Sequence, residues 1–373
     1  MLANLFGVRL VVLMGKTLPV PPSLDVTNAL SGVEVRNDTG GDGDGFQLTF
    51  NLGKDLGVEY GLLTAGALEP FSRVILAVVL GVVPEVLIDG IITHHEITPS
   101  DEPGQSTLTI NGRDVSVMLD LEEKDESYPN QPDFVIATSI LARYAQYGIV
   151  PMPMPTTDVP IMLQRVPRQS ETDLRFLQRL AQRNGYVFYI EPLTFGVNTA
   201  YFGPENRLSL PQPALSQNLG DATNVKNLRF THDALAPVGI SGTILEPISK
   251  TKIPVPTLPS LRVPPLALKP APAKRTVRLR QAANQGPGQA IASALAGVTN
   301  APEAVSGSGE LDGVRYGHAL RARKLVGVRG AGLSYDGLFY VRSVTHRITR
   351  GSYTQSFTLS REGTMTLVPA VVP

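Results

Sequence analysis

The sequence of 373 residues contains no cysteine and no tryptophan, and only 6% of its residues are aromatic. The absence of cysteine excludes disulfide bonds, thiol catalysis and thiolate metal sites. Lysine plus arginine and aspartate plus glutamate number 33 each, so no net charge attracts nucleic acid or a membrane over long range. Long hydrophobic runs are missing too, since Val74–Val83 (VILAVVLGVV) is about half as long as a membrane-spanning helix.

The N-terminal segment is apolar, but it contains Arg9 and lacks a basic leader and a small-x-small cleavage pattern. We expect a first β-strand here, a core strand at Val74–Val83, and no membrane span. Glycine (35 residues) and proline (31 residues) are abundant instead. This composition indicates many turns between short strands, in a chain long enough for two or three domains.

One strand pattern occurs twice. Gly90–Ile97 (GIITHHEI) precedes Ser106–Gly112 (STLTING), and Arg342–Ile348 (RSVTHRI) precedes Ser356–Glu362 (SFTLSRE). Each copy predicts a β-hairpin with one buried and one exposed face. The repeat predicts two copies of one β-domain, with His94 and His346 at equivalent structural positions. Coincidence is the alternative, because strands rich in Val, Ile and Thr are common.

Two copies in each chain have a consequence for assembly. Three chains would present six similar walls around one axis, which suits a part that joins a sixfold to a threefold structure.

The predicted elements place β-rich segments at both ends and a mixed α+β segment between them. The predicted division is a first β-barrel domain (1–121), a connecting helical segment (122–160), a small α+β module (161–219), a second β-barrel domain (220–246 and 310–365), a basic Pro-rich insertion with a short Ala-rich helix (247–309), and a tail (366–373).

The middle segment carries the most specific local signals. Pro132 is expected to open a helix that Gly148 stops, and the charged run Glu122–Glu126 is expected to be a solvated connection. Ser170 with Asp173 predicts a capping box, and Asn184-Gly185 predicts the end of that second helix. The strand pattern YVFYI follows at once.

The insertion is basic and rich in proline. Eight prolines lie between Pro247 and Pro272, which favours an extended polyproline strap, and no acidic residue occurs from Pro247 to Pro302. Its basic residues include Lys274, Arg275, Arg278 and Arg280. A strap that braces a neighbouring subunit is favoured over a nucleic-acid site, because aromatic residues for base stacking are absent from it. Gly288–Ala296 predicts a short helix.

Patterns for catalysis and metal binding are weak. Gly15–Thr17 lacks the leading glycine of a phosphate loop, and Thr39–Phe46 (TGGDGDGF) fits a hairpin turn better than a calcium loop. His94 and His95 are adjacent on a predicted strand, so they point to opposite faces and cannot share a metal. No nucleophile-elbow pattern GxSxG occurs. A non-enzymatic function without a cofactor is therefore favoured.

Three arginines alternate with apolar residues in a predicted strand that contains the run RARKLVGVR. They are Arg321, Arg323 and Arg329. One strand face would therefore be basic, either as an ordinary solvated face or as a charged channel wall or subunit contact.

The segments Ser170–Glu191 and Tyr335–Gly363 together resemble the phage late control gene D family. This family comprises the central hub proteins of contractile phage tails, of type VI secretion (the N-terminal part of the valine-glycine repeat proteins) and of related injection systems. The resemblance extends over about residues 1–365, with the basic strap as an insertion.

The resemblance implies an α+β, mainly β fold with two tube-like β-barrel domains and small intervening α+β modules. It implies a homotrimer forming a pseudo-sixfold ring between a hexameric inner tube protein and a trimeric spike. The sequence ends without a needle and contains no lysozyme-like domain, so the spike is expected to be a separate chain.

The leading interpretation is thus a structural baseplate hub, assembled in the cytoplasm and found in a phage tail or injection-system particle. Further partners would be other baseplate components, a tape-measure protein or cargo. The candidate interface or channel residues are Arg321, Arg323, Arg329, Lys274, Arg275, Arg278 and Arg280, and the repeat-framework positions are His94 and His346. The rival interpretations are a tail-associated cell-wall-degrading enzyme component and a nucleic-acid-binding module that uses the strap.

Overall fold

The computed structural model describes residues 7–16, 18–40, 43–52, 54–55, 59–60, 62, 66, 68–102, 105–158, 160, 166–245, 252–255, 262–278 and 287–366. The chain is α+β and mainly β, which confirms the predicted fold class. The predicted trimer remains a prediction. The helices within the described ranges are all too short or too polar to span a bilayer.

The helices are α1 (Leu24–Ala29), α2 (Asp133–Ala142), α3 (Asp173–Asn184), α4 (Pro287–Thr299) and α5 (Gly313–Tyr316). The strands are β1 (Arg9–Gly15), β2 (Leu30–Asp38), β3 (Gly45–Leu52), β4 (Lys54–Asp55), β5 (Glu59–Tyr60), β6 (Arg73–Val79), β7 (Pro84–Thr98), β8 (Ser106–Asp114), β9 (Glu123–Ser127), β10 (Ile149–Pro153), β11 (Arg168–Thr172), β12 (Val187–Thr194), β13 (Val197–Gly203), β14 (Gln212–Ser216), β15 (Val225–His232), β16 (Val238–Leu245), β17 (Lys252–Val255), β18 (Ala267–Pro270), β19 (Arg275–Arg278), β20 (Val305–Asp312), β21 (Leu325–Arg329), β22 (Gly337–Thr349), β23 (Ser352–Arg361) and β24 (Gly363–Thr366).

Twelve strands form one curled sheet that contains both β-rich ends of the chain. Its main path runs β1-β6-β7-β8-β3-β2-β22-β23-β20-β15, and β21 pairs with both β22 and β14. The antiparallel pair β2–β22 joins the early half to the late half. The two predicted β-units are therefore halves of one sheet rather than separate sheets.

Hydrophobic alternation explains how these strands bury one face. In β3, Phe46, Leu48, Phe50 and Leu52 are buried, with the residues between them more exposed. β6 is apolar on both faces, and Val74–Val79 are buried in it as the predicted core strand. The strand ends at Val79, and Val82 and Val83 are exposed in the turn that follows. The early half packs around one apolar cluster and the late half around another.

A mixed module between the halves packs α2 and α3 with the three-stranded sheet β10-β13-β12 around its own core. α2 follows Pro132 as predicted, but it ends at Ala142, before the predicted stop at Gly148. α3 ends at Gly185 (φ +67°) as predicted. The predicted capping box at Ser170 is wrong, since Ser170 lies in β11. The N-cap is Thr172, whose hydroxyl accepts a hydrogen bond from the Arg175 backbone N–H at 3.4 Å.

The charged run Glu122–Glu126 is not a solvated connection as predicted. Most of it belongs to β9, which pairs with β11. Lys124 Nζ lies 2.5 Å from the carboxylate of Asp173, which is buried at the start of α3. Glu126 also pairs with Arg143 at 2.7 Å, so two charges of the run hold the module together, while Glu122, Glu123 and Asp125 are exposed.

The Pro-rich insertion contains more regular structure than a polyproline strap. β16, β17 and β19 form a small sheet, and β18 pairs with β24 after the late half. The sequence predicts Val238–Leu245 in the second barrel, but among the described strands it pairs, as β16, with β17 and β19 of this small sheet. α4 confirms the predicted Ala-rich helix. Residues 246–251, 256–261 and 279–286, including Arg280, lie outside the described residues.

Candidate assembly interface

Each half of the large sheet contains three shifts of strand register, and two in each half are β-bulges in corresponding strand pairs. The pairing of β7 with β8 skips Thr93, and the pairing of β22 with β23 skips Arg342. The pairing of β2 with β3 skips Ser31, and the pairing of β15 with β20 skips Lys226. A bulge inserts one unpaired residue, so it fixes a position along a strand more firmly than a hydrophobic pattern does.

The four bulges agree with a single alignment of the two halves. We align Thr93 with Arg342 and follow the cross-strand partners outward. The positions that then coincide are Asn111 with Thr358, Gln47 with Ser308, and Glu34 with Arg229. Three residues before Glu34 and Arg229 lie Ser31 and Lys226, which are the other two bulges. The strands β2, β3, β6, β7 and β8 therefore correspond to β15, β20, β21, β22 and β23.

The same alignment corrects the predicted equivalence of His94 and His346, because the counterpart of His346 in the early half is Ile97. His94 is exposed, whereas His346 is fully buried with Nδ1 2.9 Å from the Tyr353 hydroxyl. Burial, helped by the positive charge of Arg321, lowers the pKa of His346 to about 3. His346 is thus a neutral core residue.

The junction between the halves shows how two copies of this strand pattern pair with each other. Across β2–β22, Val35 lies opposite His346, and neither is exposed to solvent. On the other face, Arg347 Nε donates to the Glu34 carboxylate at 2.8 Å. The junction therefore has a buried face and an exposed face with complementary charge.

β15 is the counterpart of β2, and β7 is the counterpart of β22. Each has an edge without a paired strand in the described part of the chain. β15 ends the main path of the sheet and pairs only with β20 among the described strands. The residues of β6 pair with β7 only as far as Ile91, so the outer edge of Thr93–Thr98 has no partner in the described part of the chain. Ile97, the counterpart of buried His346, is 39% exposed. Open edges of this kind readily accept another strand.

A buried ion pair crosses between the two halves. Arg323 donates to both carboxylate oxygens of Asp44, at 2.9 and 2.5 Å, and also to the backbone carbonyl of Asp38. Asp114 lies beside this pair and accepts a hydrogen bond from Ser116 at 2.5 Å. Burial, and then the negative charge of Asp44, raise the pKa of Asp114 to about 7.

The predicted basic strand face is wrong, because Arg321 and Arg323 precede β21 and only Arg329 lies in it. Arg323 is buried against Asp44, and Arg321 contacts Glu85 and the backbone carbonyl of Val86. Arg329 Nε donates to Ser216 at 2.6 Å. A role for these arginines at a channel or subunit contact remains a prediction.

A second ion cluster, which the sequence analysis missed, contains three arginines and three glutamates. They are Arg207, Arg262, Arg342, Glu205, Glu303 and Glu362. The Arg207 side chain is fully buried and lies 2.9 Å from Glu362 and 3.4 Å from Glu205. Arg207, Arg262 and Arg342 hold the pKa of Glu303 down to about 2, despite its burial. Sequence spacing gives no signal for the cluster, because its members come from five separate segments.

The basic residues predicted in the strap behave differently from one another. Lys274, Arg275 and Arg278 are exposed, and none forms an ion pair with another described residue. Arg262 belongs to the buried cluster instead.

No family model and no curated protein matches the sequence. Solved structures share its fold. The tail protein from Neisseria meningitidis MC58 has a TM-score of 0.63 at 15% identity, covering 96% of this chain and 98% of that one. The 43 kDa tail protein of prophage MuSo2 from Shewanella oneidensis has a TM-score of 0.62 at 14% identity, covering 95% and 99%. The E. coli c3393 protein, a type VI secretion component, has a TM-score of 0.55 at 13% identity, covering 92% and 77%. The chain therefore has the fold of phage tail and type VI secretion proteins.

Proposed function

We propose that this protein is a structural hub of a contractile phage tail or injection system, of the late control gene D type. In this proposal three copies form a ring that receives a hexameric inner tube on one side and a separate trimeric spike on the other. The ring assembles in the cytoplasm and belongs to the baseplate of the particle. The observation that carries the proposal is the duplication, with matching bulges, inside one continuous sheet.

The duplication supports a ring because each chain has two complementary open edges. The β2–β22 junction pairs one copy of the strand pattern with the other inside the chain. Repeating that junction between chains would pair β15 of one copy with the outer edge of β7 of the next. This contact is head-to-tail, so successive chains form a ring when the rotation between neighbours closes. A ring of three chains would have six similar walls.

The internal junction also supplies a register for the contact between chains. Glu34 lies opposite Arg347 in β2–β22. The counterparts of these residues in the repeat are Arg229 and Thr98, so Arg229 of one chain would lie opposite Thr98 of the next. In the same register Phe230 lies opposite Ile97. Arg229 then lies diagonally across from Glu96, within reach of long side chains, so the charges are complementary.

Engineered cysteines test this register, since the chain contains no cysteine of its own. The double variant T98C/R229C places thiols on directly opposed residues of neighbouring chains, at a separation that a disulfide can bridge. Mild oxidation is expected to produce covalent trimers on a non-reducing gel, with a mass three times the 40.0 kDa of one chain.

The matched control is I97C/R229C, which shifts one thiol by a single residue and therefore turns it to the opposite sheet face. It is expected to remain uncrosslinked. Equal crosslinking of both variants would contradict the register. A strictly monomeric mass for the unmodified protein at micromolar concentration would contradict the trimer itself.

The hub role is tested by co-expression with the tube and spike proteins encoded beside this chain. Native mass measurement is expected to give complexes with three hub chains to three spike chains, and with three hub chains to six tube chains. A trimer that binds neither partner would overturn the adaptor role.

We propose no catalytic turnover. The fold is shared with tail proteins, and the buried ionised groups described above are paired with groups of opposite charge. Release of soluble fragments from purified peptidoglycan by the isolated trimer would contradict this part of the proposal.

A further inference from the structure

The strand ends of the large sheet, with the loops that join them, form two opposite rims. The two halves of the sheet differ at one of these rims. β2 and β3 are joined by the short loop Thr39–Asp44, whereas their counterparts β15 and β20 are joined by the whole insertion between Asp233 and Ala304. At the opposite rim both halves have short hairpin loops, at 99–105 and at Arg350–Gly351. The insertion therefore breaks the twofold repeat at one rim only.

In a ring of three chains, this difference gives the two rims different symmetry. The rim with short hairpins presents two similar loops per chain, which suits a sixfold partner. The rim with the insertion presents one copy of it per chain, which suits a threefold partner. A contact on the insertion is thus available three times around the axis.

The insertion is anchored firmly enough to serve as a binding surface. Glu362 accepts a hydrogen bond from the backbone N–H of Ala267 at 2.7 Å, next to the β18–β24 pairing. Glu303 and Arg262 are held in the buried ion cluster, and α4 packs against α3. These contacts tie the insertion to both the late half and the module.

The strand β19 lies at an edge of the small sheet in the insertion. The strand order is β17-β16-β19, so β19 pairs with β16 on one side and has no partner on the other among the described strands. All four of its side chains are exposed, including Val277 at 36%. Its backbone is therefore free to accept an added strand.

The charged side chains in and next to β19 in the chain have one sign. Arg275 and Arg278 lie in β19, Lys274 precedes it, and Lys269 is exposed earlier in the chain, in β18. No acidic residue occurs in the sequence from Pro247 to Pro302. Solubility alone is served by interspersed charges, so a segment of one sign in a neutral chain indicates recognition of opposite charge.

We infer that β19 is a docking strand for the threefold partner of the ring, and that this partner is a protein whose contacting segment is acidic and extended. This inference rests on the proposed hub function. Backbone hydrogen bonds of the added strand would give affinity, and its carboxylates would meet Arg275 and Arg278.

A fluorescent peptide of alternating glutamate and valine, eight residues long, probes the inference on the full-length trimer. It is expected to bind with an affinity that falls as salt concentration rises. The variant R275E/R278E is expected to weaken binding about tenfold or more, because two attractive contacts become repulsive. The control R9E/R315E reverses two exposed arginines elsewhere and is expected to leave binding unchanged.

Two further probes define the mode of binding. A peptide of the same charge with prolines in place of the valines is expected to bind several-fold more weakly, because it cannot form ladder hydrogen bonds. Equal binding of both peptides would overturn strand addition. Tighter binding of a DNA duplex of similar length, lost in R275E/R278E, would overturn the protein partner in favour of nucleic acid.

Mass measurement separates this inference from the hub proposal. A trimer that fails to bind the alternating peptide would overturn the docking strand and leave the ring intact. A monomer that binds the peptide through Arg275 and Arg278 would keep the docking strand but contradict the ring.

Discussion

At the scale of single residues, the buried ion cluster makes Arg207 the most sensitive side chain. Arg207 contacts Glu205, Glu303 and Glu362 with no exposure to solvent. Replacing it with methionine leaves an unbalanced negative charge in the interior. We expect R207M to lower the free energy of unfolding by about 3–5 kcal/mol, measured by urea denaturation.

The control for this prediction is R347M. Arg347 also pairs with a glutamate, at 2.8 Å, but its side chain is 57% exposed, so its loss is expected to cost about 1 kcal/mol or less. The double variant R207M/E362Q restores charge balance and is expected to recover part of the loss. Equal losses for R207M and R347M would show that burial of the cluster does not matter.

A second prediction at this scale concerns pH. The pKa of Asp114 is raised from 3.8 to about 7, so the folded protein keeps a proton that the unfolded chain releases near pH 4. Its contribution to stability therefore falls as the pH rises from 4 to 7, by an amount on the order of 4 kcal/mol. His346 acts in the opposite direction, because its pKa is lowered from 6.5 to about 3 and its contribution rises with pH up to 6.5.

The variant D114N removes the first contribution and keeps the second. We expect its free energy of unfolding to rise between pH 4 and 6.5. We also expect the difference in free energy of unfolding, D114N minus the unmodified protein, to increase up to about pH 7. Urea denaturation at pH 4.5, 5.5, 6.5 and 7.5 measures this difference. Parallel curves for the two proteins would contradict the raised pKa.

At the scale of elements, the sequence predicted what local patterns control. Alternation in Phe46–Leu52, the helix stop at Gly185 and the Ala-rich helix α4 depend on residues close together in the chain. The sequence analysis missed the strand β9 because Lys124, in its charged run, pairs with Asp173, which is distant in the sequence. The bulges were also invisible, and without them the repeat was aligned on histidines three residues out of register.

The ion clusters show the same limit. Arg323 was predicted on a strand face because it alternates with apolar residues, but its carboxylate partner Asp44 lies in the other half of the chain. Sequence spacing does not reveal a pair separated by this distance. Candidate residues chosen by alternation therefore need the fold before their exposure can be assigned.

We expect removal of the insertion to be tolerated by the fold. Replacing residues 234–303 with a copy of Thr39–Asp44 removes Arg262 and Glu303 together, so the remaining cluster stays balanced. We expect a folded protein that still forms trimers, destabilised by several kcal/mol because buried Leu266 and Ala267 are lost. Circular dichroism and mass measurement test this. A variant that keeps Glu303 but loses Arg262 is the control and is expected to fold less well.

At the scale of the whole molecule, the continuous sheet makes the two halves depend on each other. β2 and β22 pair over seven residues of each strand across the junction, and Arg323 neutralises buried Asp44 from the other half. Separating the halves would expose the apolar faces of both strands and leave Asp44 buried without its partner. Each half therefore repeats the same strand arrangement, but neither half is expected to be stable without the other.

This dependence predicts one cooperative unfolding transition for the sheet. Calorimetry is expected to give equal calorimetric and van't Hoff enthalpies for the monomeric unfolding step, measured on a variant that cannot form the ring. Residues 1–121 expressed alone are expected to be unfolded or aggregated, because the open edge of β2 has lost its partner. Two separate transitions, or a stable monomeric fragment 1–121, would mean that each half folds independently and that the junction is only a contact between finished domains.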